Sequence, residues 1–166
     1  ASYNLDPAAI EAAITPRTKA ILPVHLHGRV AEMEPILELA RRRGIAVIED
    51  AAQSFGASFD GRASGSFGAC GATSFFPRKP LGCYGDGGAT LTNDDAENVL
   101  MRSIAFHGAS GDDKYNCARI GMNSRDEVLG PLTGPHGLVK VMAAAEMKQK
   151  HPEYYALIGG KRDTGH

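Results

Sequence analysis

The chain has 166 residues, with 18 Lys and Arg against 19 Asp and Glu, and a formal net charge of -1. This balance excludes a global electrostatic attraction to nucleic acid, and 43% apolar with 22% charged residues is typical of a globular protein rather than a disordered one. No stretch approaches the ~20 apolar residues that span a bilayer, and the first residues lack a signal-peptide pattern. We therefore expect a cytoplasmic protein without a membrane partner.

The cysteines and glycines indicate further what kind of protein this is. The three cysteines, Cys70, Cys83 and Cys117, show neither C-x-x-C nor C-x-x-H spacing, which argues against a disulfide framework and a structural zinc site. Glycine is abundant, with 20 residues, and most of the excess lies between Gly56 and Gly88. We expect close backbone approach in that region.

The first half of the chain alternates helical and extended patterns. The pattern predicts a helix that begins at Asp6-Pro7, a buried strand at 20–24, a helix at 33–43 ended by Gly44, and a buried strand at 45–48. A strand, a helix and a strand within some 30 residues form a βαβ unit, whose strands are parallel.

The second half continues with two strands, at 71–76 and 88–92, and a helix capped by Asn93, Asp94 and Asp95. Beyond about residue 126 the pattern weakens, and only Val139–Lys150 has helical character. The predicted fold is α/β, an open, mostly parallel sheet with flanking helices.

Ligands bind at the carboxyl ends of the strands in such sheets, so the polar residues there are the candidates for a site. Asp50 follows a strand and is either a helix cap or a carboxylate that binds a cation or a protonated heterocycle. A single loop lysine such as Lys79 is usually solvated. Its position between Pro77 and Pro80, however, restricts the backbone and suits a lysine that must reach one atom.

Three other patterns have weaker functional meaning. His25 and His27 form an H-x-H that could hold a metal, but no third and fourth ligand is evident. The glycines at 85–88 are equally explained by a turn, and the Gly-x-x-Gly-x-x-Gly at 65–71 lacks the dinucleotide-binding spacing.

Four segments together carry a resemblance to a known family. They are Pro23-Val-His, Val47-Ile-Glu-Asp-Ala-Ala-Gln53, Ser74-Phe-Phe-Pro-Arg-Lys79-Pro-Leu-Gly-Cys-Tyr-Gly-Asp-Gly-Gly88 and Asn123-Ser-Arg125. From about Tyr3 to Arg125 the chain resembles the DegT/DnrJ/EryC1/StrS sugar aminotransferases, which depend on pyridoxal 5'-phosphate and have the type I fold of aspartate aminotransferase. It is most similar to the members that aminate UDP-3-keto-N-acetylglucosaminuronic acid for surface polysaccharides.

The resemblance implies a role for four residues in cofactor binding. Lys79 matches the lysine that binds pyridoxal phosphate covalently and later moves a proton between substrate and cofactor. Asp50 matches the carboxylate that keeps the pyridine nitrogen protonated. Gln53 would lie beside the ring and its phenolic oxygen, and Ser74 matches a phosphate-binding hydroxyl.

The resemblance also implies partners. Asn123 and Arg125 match residues lent by the second subunit of a homodimer, the asparagine to the cofactor phosphate and the arginine to an anionic substrate such as a uronate. The expected substrates are a keto sugar nucleotide and an amino-acid donor, which the resemblance implies to be glutamate. A sister branch that dehydrates sugars has histidine at the lysine position, and Lys79 argues against it.

Members of the family are more than twice as long, so we expect a central fragment: residues 1–125 as part of the large cofactor-binding domain and 126–166 as an unrecognised, partly helical tail. Two hypotheses remain. The chain is a sugar aminotransferase, or it is a truncated, catalytically incompetent remnant that folds and oligomerises. A metal-dependent hydrolase built on His25, His27 and Asp50 is a distant third.

Overall fold

The computed structural model describes residues 2–82, 87–110, 113–122 and 138–143. The helices are α1 (Pro7–Ala13), α2 (Met33–Arg43) and α3 (Asp95–Ala105), and a short 3-10 turn covers Leu26–Gly28. The strands are β1 (Ala20–Ile21), β2 (Ala46–Asp50), β3 (Ser58–Phe59), β4 (Arg62–Ala63), β5 (Cys70–Ser74), β6 (Gly87–Thr92), β7 (Ala109–Ser110), β8 (Asp113–Cys117) and β9 (Leu138–Ala143).

Five strands form the main sheet in the order β1-β2-β5-β6-β9. All neighbours are parallel except β5 and β6, which are antiparallel. The prediction of an open, mostly parallel α/β sheet is therefore confirmed. β3 with β4 and β7 with β8 form two small antiparallel pairs outside it.

The predicted helix ends are found where the sequence places them. The Asp6 side chain accepts a hydrogen bond from the amide of Ala8, and Pro7 opens α1. Gly44 ends α2 in the left-handed conformation with φ of 62°, which a glycine adopts without steric cost. Asp94 caps α3 through the amides of Ala96 and Glu97. Local side-chain chemistry decides these boundaries.

The core lies on one face of the sheet, beneath α2. Met33 and Ile36 of this helix are fully buried and pack with Ile21 of β1 and Val47 of β2. Burial of this apolar stripe is the main force that holds α2 on the sheet.

Glycines allow the close contacts that their abundance predicts. A Cβ atom at Gly68 would lie 2.4 Å from the carbonyl oxygen of Val47, and one at Gly71 would lie 2.4 Å from that of Gly65. Only a residue without a side chain fits at these two positions.

The helix predicted at Val139–Lys150 is wrong over its first residues. Leu138–Ala143 is a strand that pairs in parallel with the whole of β6. The backbone groups along that side of β6 need partners, and this tertiary requirement overrides the local helical preference. Residues 144–150 lie outside the described part of the chain, as do Cys83, Gly85 and Asp86. Among the described helices, none is long and apolar enough to cross a membrane.

Candidate functional site

The site predicted from the sequence begins at the carboxyl ends of two neighbouring strands, β2 and β5. Asp50 is in register with Ala72, and Ser74 follows two residues later on the same face of β5. This places the Ser74 backbone about 6–7 Å further along the sheet. Ala72 is exposed and Asp50 and Ser74 are half-buried, whereas Gly71 and Thr73 on the opposite face are buried. Asp50 and Ser74 therefore flank a small, open patch of sheet.

Asp50 has one oxygen engaged and one available. Its Oδ1 accepts a hydrogen bond of 3.0 Å from the amide of Ala52, so it does stabilise the following turn. The other oxygen has no partner among the described residues. The backbone is held on both sides, because Asp50 donates to the carbonyl of Pro23 at 2.9 Å and accepts from the amide of His25 at 3.0 Å. The carboxylate is thus fixed in place with an oxygen free for a ligand.

Gln53 lies in the loop after β2 and is half-buried. Its Oε1 accepts a hydrogen bond of 3.1 Å from the amide of His27, which has a left-handed backbone with φ of 54°. Because the oxygen faces this donor, the NH₂ group is the part of Gln53 that remains for a ligand, and it can only donate.

Ser74 and Lys79 belong to the end of β5 and the turn that follows it. The Ser74 hydroxyl accepts a hydrogen bond of 3.2 Å from the amide of Phe76, which leaves its own hydrogen to donate. The Lys79 amide donates to the carbonyl of Phe76 at 2.8 Å. The Lys79 side chain is half-buried, and Nζ has no hydrogen-bond or ion-pair partner within the part of the chain described. A lysine that is partly desolvated and unpaired suits a nucleophile.

These four residues fit the group that the resemblance implies. Pyridoxal phosphate is a flat pyridine ring whose nitrogen can be protonated, and it carries a phosphate, a phenolic oxygen and an aldehyde. The open patch over Ala72 lies between a carboxylate and a hydroxyl, and the segments that follow β2 and β5 carry an amide donor in Gln53 and an amine in Lys79. Asn123 and Arg125 lie outside the described residues.

Sequence analysis missed the role of Glu49, the residue before Asp50. Glu49 and His25 are both 0% exposed, and His25 Nε2 lies 2.8 Å from Glu49 Oε2. The amides of Gly65, Phe67 and Gly68 also donate to this carboxylate, at 2.8, 2.6 and 2.6 Å. Strand alternation was the available signal, since two adjacent carboxylates must point to opposite faces and one of them must be buried.

The same contacts exclude His25 as a metal ligand in this arrangement. Its Nδ1 accepts a hydrogen bond of 3.1 Å from the amide of Ala31, so both ring nitrogens are engaged. In addition, the residues described contain no group of three or more His, Cys, Asp and Glu side chains placed to hold a metal ion. The metal-dependent alternative on His25, His27 and Asp50 loses its first ligand.

Comparison with known proteins bears on the family and the fold of the chain. The model of the DegT/DnrJ/EryC1/StrS aminotransferase family matches residues 1–158. The chain is 56% identical over 128 residues to a UDP-2-acetamido-2-deoxy-3-oxo-D-glucuronate aminotransferase of Pseudomonas aeruginosa, covering 77% of this chain and 35% of that protein.

Two solved structures have the same fold. A DegT DnrJ EryC1 StrS aminotransferase from Brucella abortus superposes with a TM-score of 0.71 at 49% identity, over 75% of this chain and 35% of that one. NtdA from Bacillus subtilis with bound cofactor PMP superposes with a TM-score of 0.69 at 35% identity, over 75% of this chain and 28% of that one. The neighbours confirm the predicted type I aminotransferase fold. The chain spans less than half the length of the curated relatives it matches.

Proposed function

The chain belongs to the DegT/DnrJ/EryC1/StrS aminotransferase family, whose members depend on pyridoxal phosphate, and on that premise we propose that the open patch between Asp50 and Ser74 is the cofactor-binding part of a sugar aminotransferase. Two observations carry the proposal: Lys79, in the turn after β5, is half-buried with no partner for Nζ among the described residues, and Asp50, at the end of the neighbouring β2, has one carboxylate oxygen with no partner among them.

When bound, pyridoxal phosphate supplies a protonated ring that accepts electrons from a substrate carbon. The free oxygen of Asp50 would accept a hydrogen bond from the ring nitrogen and keep it protonated. The Gln53 NH₂ would donate to the phenolic oxygen, and the Ser74 hydroxyl would donate to the phosphate. Lys79 would hold the cofactor through Nζ, and the same atom would carry a proton to and from the substrate carbon.

The substrate in this proposal is a keto sugar nucleotide, because the similar protein of Pseudomonas aeruginosa is named for a 3-oxo-glucuronate of that type. Arg125 binds the uronate carboxylate as a bidentate partner, and Asn123 binds the cofactor phosphate. Both come from the second subunit of a homodimer. Glutamate is the proposed amino donor, polysaccharide biosynthesis the proposed role, and the cytoplasm the proposed location.

Covalent trapping tests the proposal directly. The chain is incubated with pyridoxal phosphate, reduced with borohydride and digested, and the pyridoxyl adduct is located by mass spectrometry. We expect a stoichiometric adduct at Lys79 that falls sharply in Asp50→Asn. The matched control is Asp60→Asn, because Asp60 is exposed and asparagine tolerates its φ of 49°. Low labelling scattered over many lysines, equal in all three proteins, would contradict the proposal.

The second candidate is a catalytically incompetent remnant that folds and oligomerises. The observation that favours it is the exposed Ala72 in the middle strand of the sheet, which a second copy could cover as well as a cofactor. Scattered labelling together with self-association in analytical ultracentrifugation would support this candidate.

A further inference from the structure

Glu49 forms a buried carboxylate cluster with His25 and with the turn at 65–68. Each carboxylate oxygen receives two hydrogen bonds: Oε2 from His25 Nε2 and the Gly65 amide, Oε1 from the amides of Phe67 and Gly68. Burial of a carboxylate is costly unless its oxygens are fully hydrogen-bonded, and here the described donors saturate both.

The proton positions in the cluster follow from its geometry. The Ala31 amide donates to His25 Nδ1, so that nitrogen holds a lone pair and the ring proton is on Nε2. Nε2 then donates to Glu49. If Glu49 were protonated, its hydrogen would point at one of the four donors that already face the carboxylate. Glu49 is therefore the anion, and the His25 ring is neutral.

The cluster holds the strand ends that carry the candidate site. His25 follows β1, Glu49 is the penultimate residue of β2, and the turn at 65–68 leads into β5. His25 acts twice, because its ring binds Glu49 while its backbone amide donates to the carbonyl of Asp50 at 3.0 Å. The next residue after Glu49 therefore has little freedom to rotate or shift.

From these contacts we propose that Glu49 is a positioning residue for Asp50: its cluster with His25 and the turn at 65–68 sets the direction of the Asp50 carboxylate toward the cofactor's pyridine nitrogen. The proposal rests on the proposed function for the identity of the ligand. The positioning of Asp50 itself can be measured without any ligand.

The first test compares Glu49→Gln with Glu38→Gln in the full 166-residue chain. Glutamine keeps the shape, but in either orientation its NH₂ faces two donors. Glu38 is exposed on α2, so its variant loses the same charge without touching the cluster. We expect the Asp50 carboxyl ¹³C resonance, assigned with Asp50→Asn, to shift only in Glu49→Gln. We also expect the dissociation constant for pyridoxal phosphate to rise at least tenfold in that variant alone.

A second pair separates hydrogen bonding from packing. His25→Gln keeps a donor for Glu49 and an acceptor for Ala31, whereas His25→Leu fills the space with neither. We expect His25→Gln to preserve the Asp50 resonance and His25→Leu to displace it. In the unmodified chain, ¹⁵N spectra of the His25 ring should show a proton on Nε2 and none on Nδ1. This pair also decides the question should Glu49→Gln fail to fold.

The outcomes are distinct. An Asp50 resonance that stays in place in folded Glu49→Gln, or that moves in His25→Gln as far as in His25→Leu, overturns the positioning role. Absence of a Lys79 adduct in every protein overturns the proposed function, while the spectra of the unloaded chain still decide whether Glu49 positions Asp50.

Discussion

Glu49 and Asp50 are consecutive residues of β2 whose carboxylates lie on opposite faces of the sheet. Glu49 is 0% exposed and saturated by hydrogen bonds from His25 and the turn at 65–68. Asp50 is half-buried and has a single described partner, the amide of Ala52. Strand alternation thus places one of two identical functional groups in a buried hydrogen-bonded cluster and the other on the open face of the sheet.

Removal of the Lys79 side chain should abolish the cofactor adduct and leave the stability of the fold nearly unchanged. Its Nζ has no partner within the described part of the chain, so we expect Lys79→Ala to change the free energy of unfolding by less than about 0.5 kcal/mol. The borohydride-trapped adduct should disappear. Urea denaturation followed by circular dichroism measures the first quantity, and peptide mass spectrometry measures the second. Lys19→Ala, which alters an exposed lysine, is the control and should retain the adduct.

Gly68→Ala should destabilise the fold through backbone contact. The new Cβ would lie 2.4 Å from the Val47 carbonyl oxygen, and the Gly68 amide also donates to Glu49, so neither the turn at 65–68 nor β2 can shift freely. We expect a loss of about 2–3 kcal/mol in the free energy of unfolding, in the upper part of the usual range for overpacking.

The control for this variant is Gly44→Ala. Gly44 has φ of 62° and open space around it, so its cost is backbone strain alone, about 1 kcal/mol. If the two variants unfold at the same urea concentration, the close approach of Gly68 to β2 is not a source of strain.

Asp94→Ala should weaken α3. The Asp94 carboxylate accepts hydrogen bonds from the amides of Ala96 and Glu97 at 2.8 and 3.0 Å, and alanine leaves both donors without this partner. We expect a loss of about 1 kcal/mol in the free energy of unfolding, with Asp94→Asn retaining most of the stability because its amide oxygen still caps the helix. Thermal unfolding of the three proteins measures the difference. Equal midpoints for alanine and aspartate would contradict the cap.

Cys70 should react slowly with alkylating reagents. Desolvation by burial raises the pKa of its thiol, and the negative charges of Glu97 and Glu49 raise it further. Less thiolate is present at a given pH, so iodoacetamide should modify Cys70 more slowly than the exposed Cys117 at pH 8. Peptide mass spectrometry over time gives both rates, and equal rates would contradict the burial of Cys70.

The raised pKa of Cys70 also determines how the stability of the fold changes with pH. The thiol holds its proton to a higher pH in the folded state than in the unfolded state. The contribution of Cys70 is therefore fully present below the unfolded pKa and is lost as pH rises through the folded pKa. Cys70→Ser should flatten this decline in urea denaturation above pH 8.

Much of this protein is determined by local sequence. Asp6-Pro7, Gly44 and Asp94 define helix ends through caps that each residue forms with its neighbours. Apolar runs indicate β1 and β2, and the motif that ends in Gln53 and the one that includes Lys79 indicate the family. These features depend on contacts within a few residues, which a sequence pattern records.

Only the tertiary structure decided the rest. The β9 strand forms because the backbone groups of β6 need hydrogen-bond partners. The local sequence at 139–143 has a helical pattern and carries no information about that need. His25 and Glu49 meet across 24 positions, and the amides that complete their cluster come from a turn 16 to 19 residues beyond Glu49. Which of the two adjacent carboxylates is buried depends on which face of the sheet α2 covers, and only the whole fold determines that face.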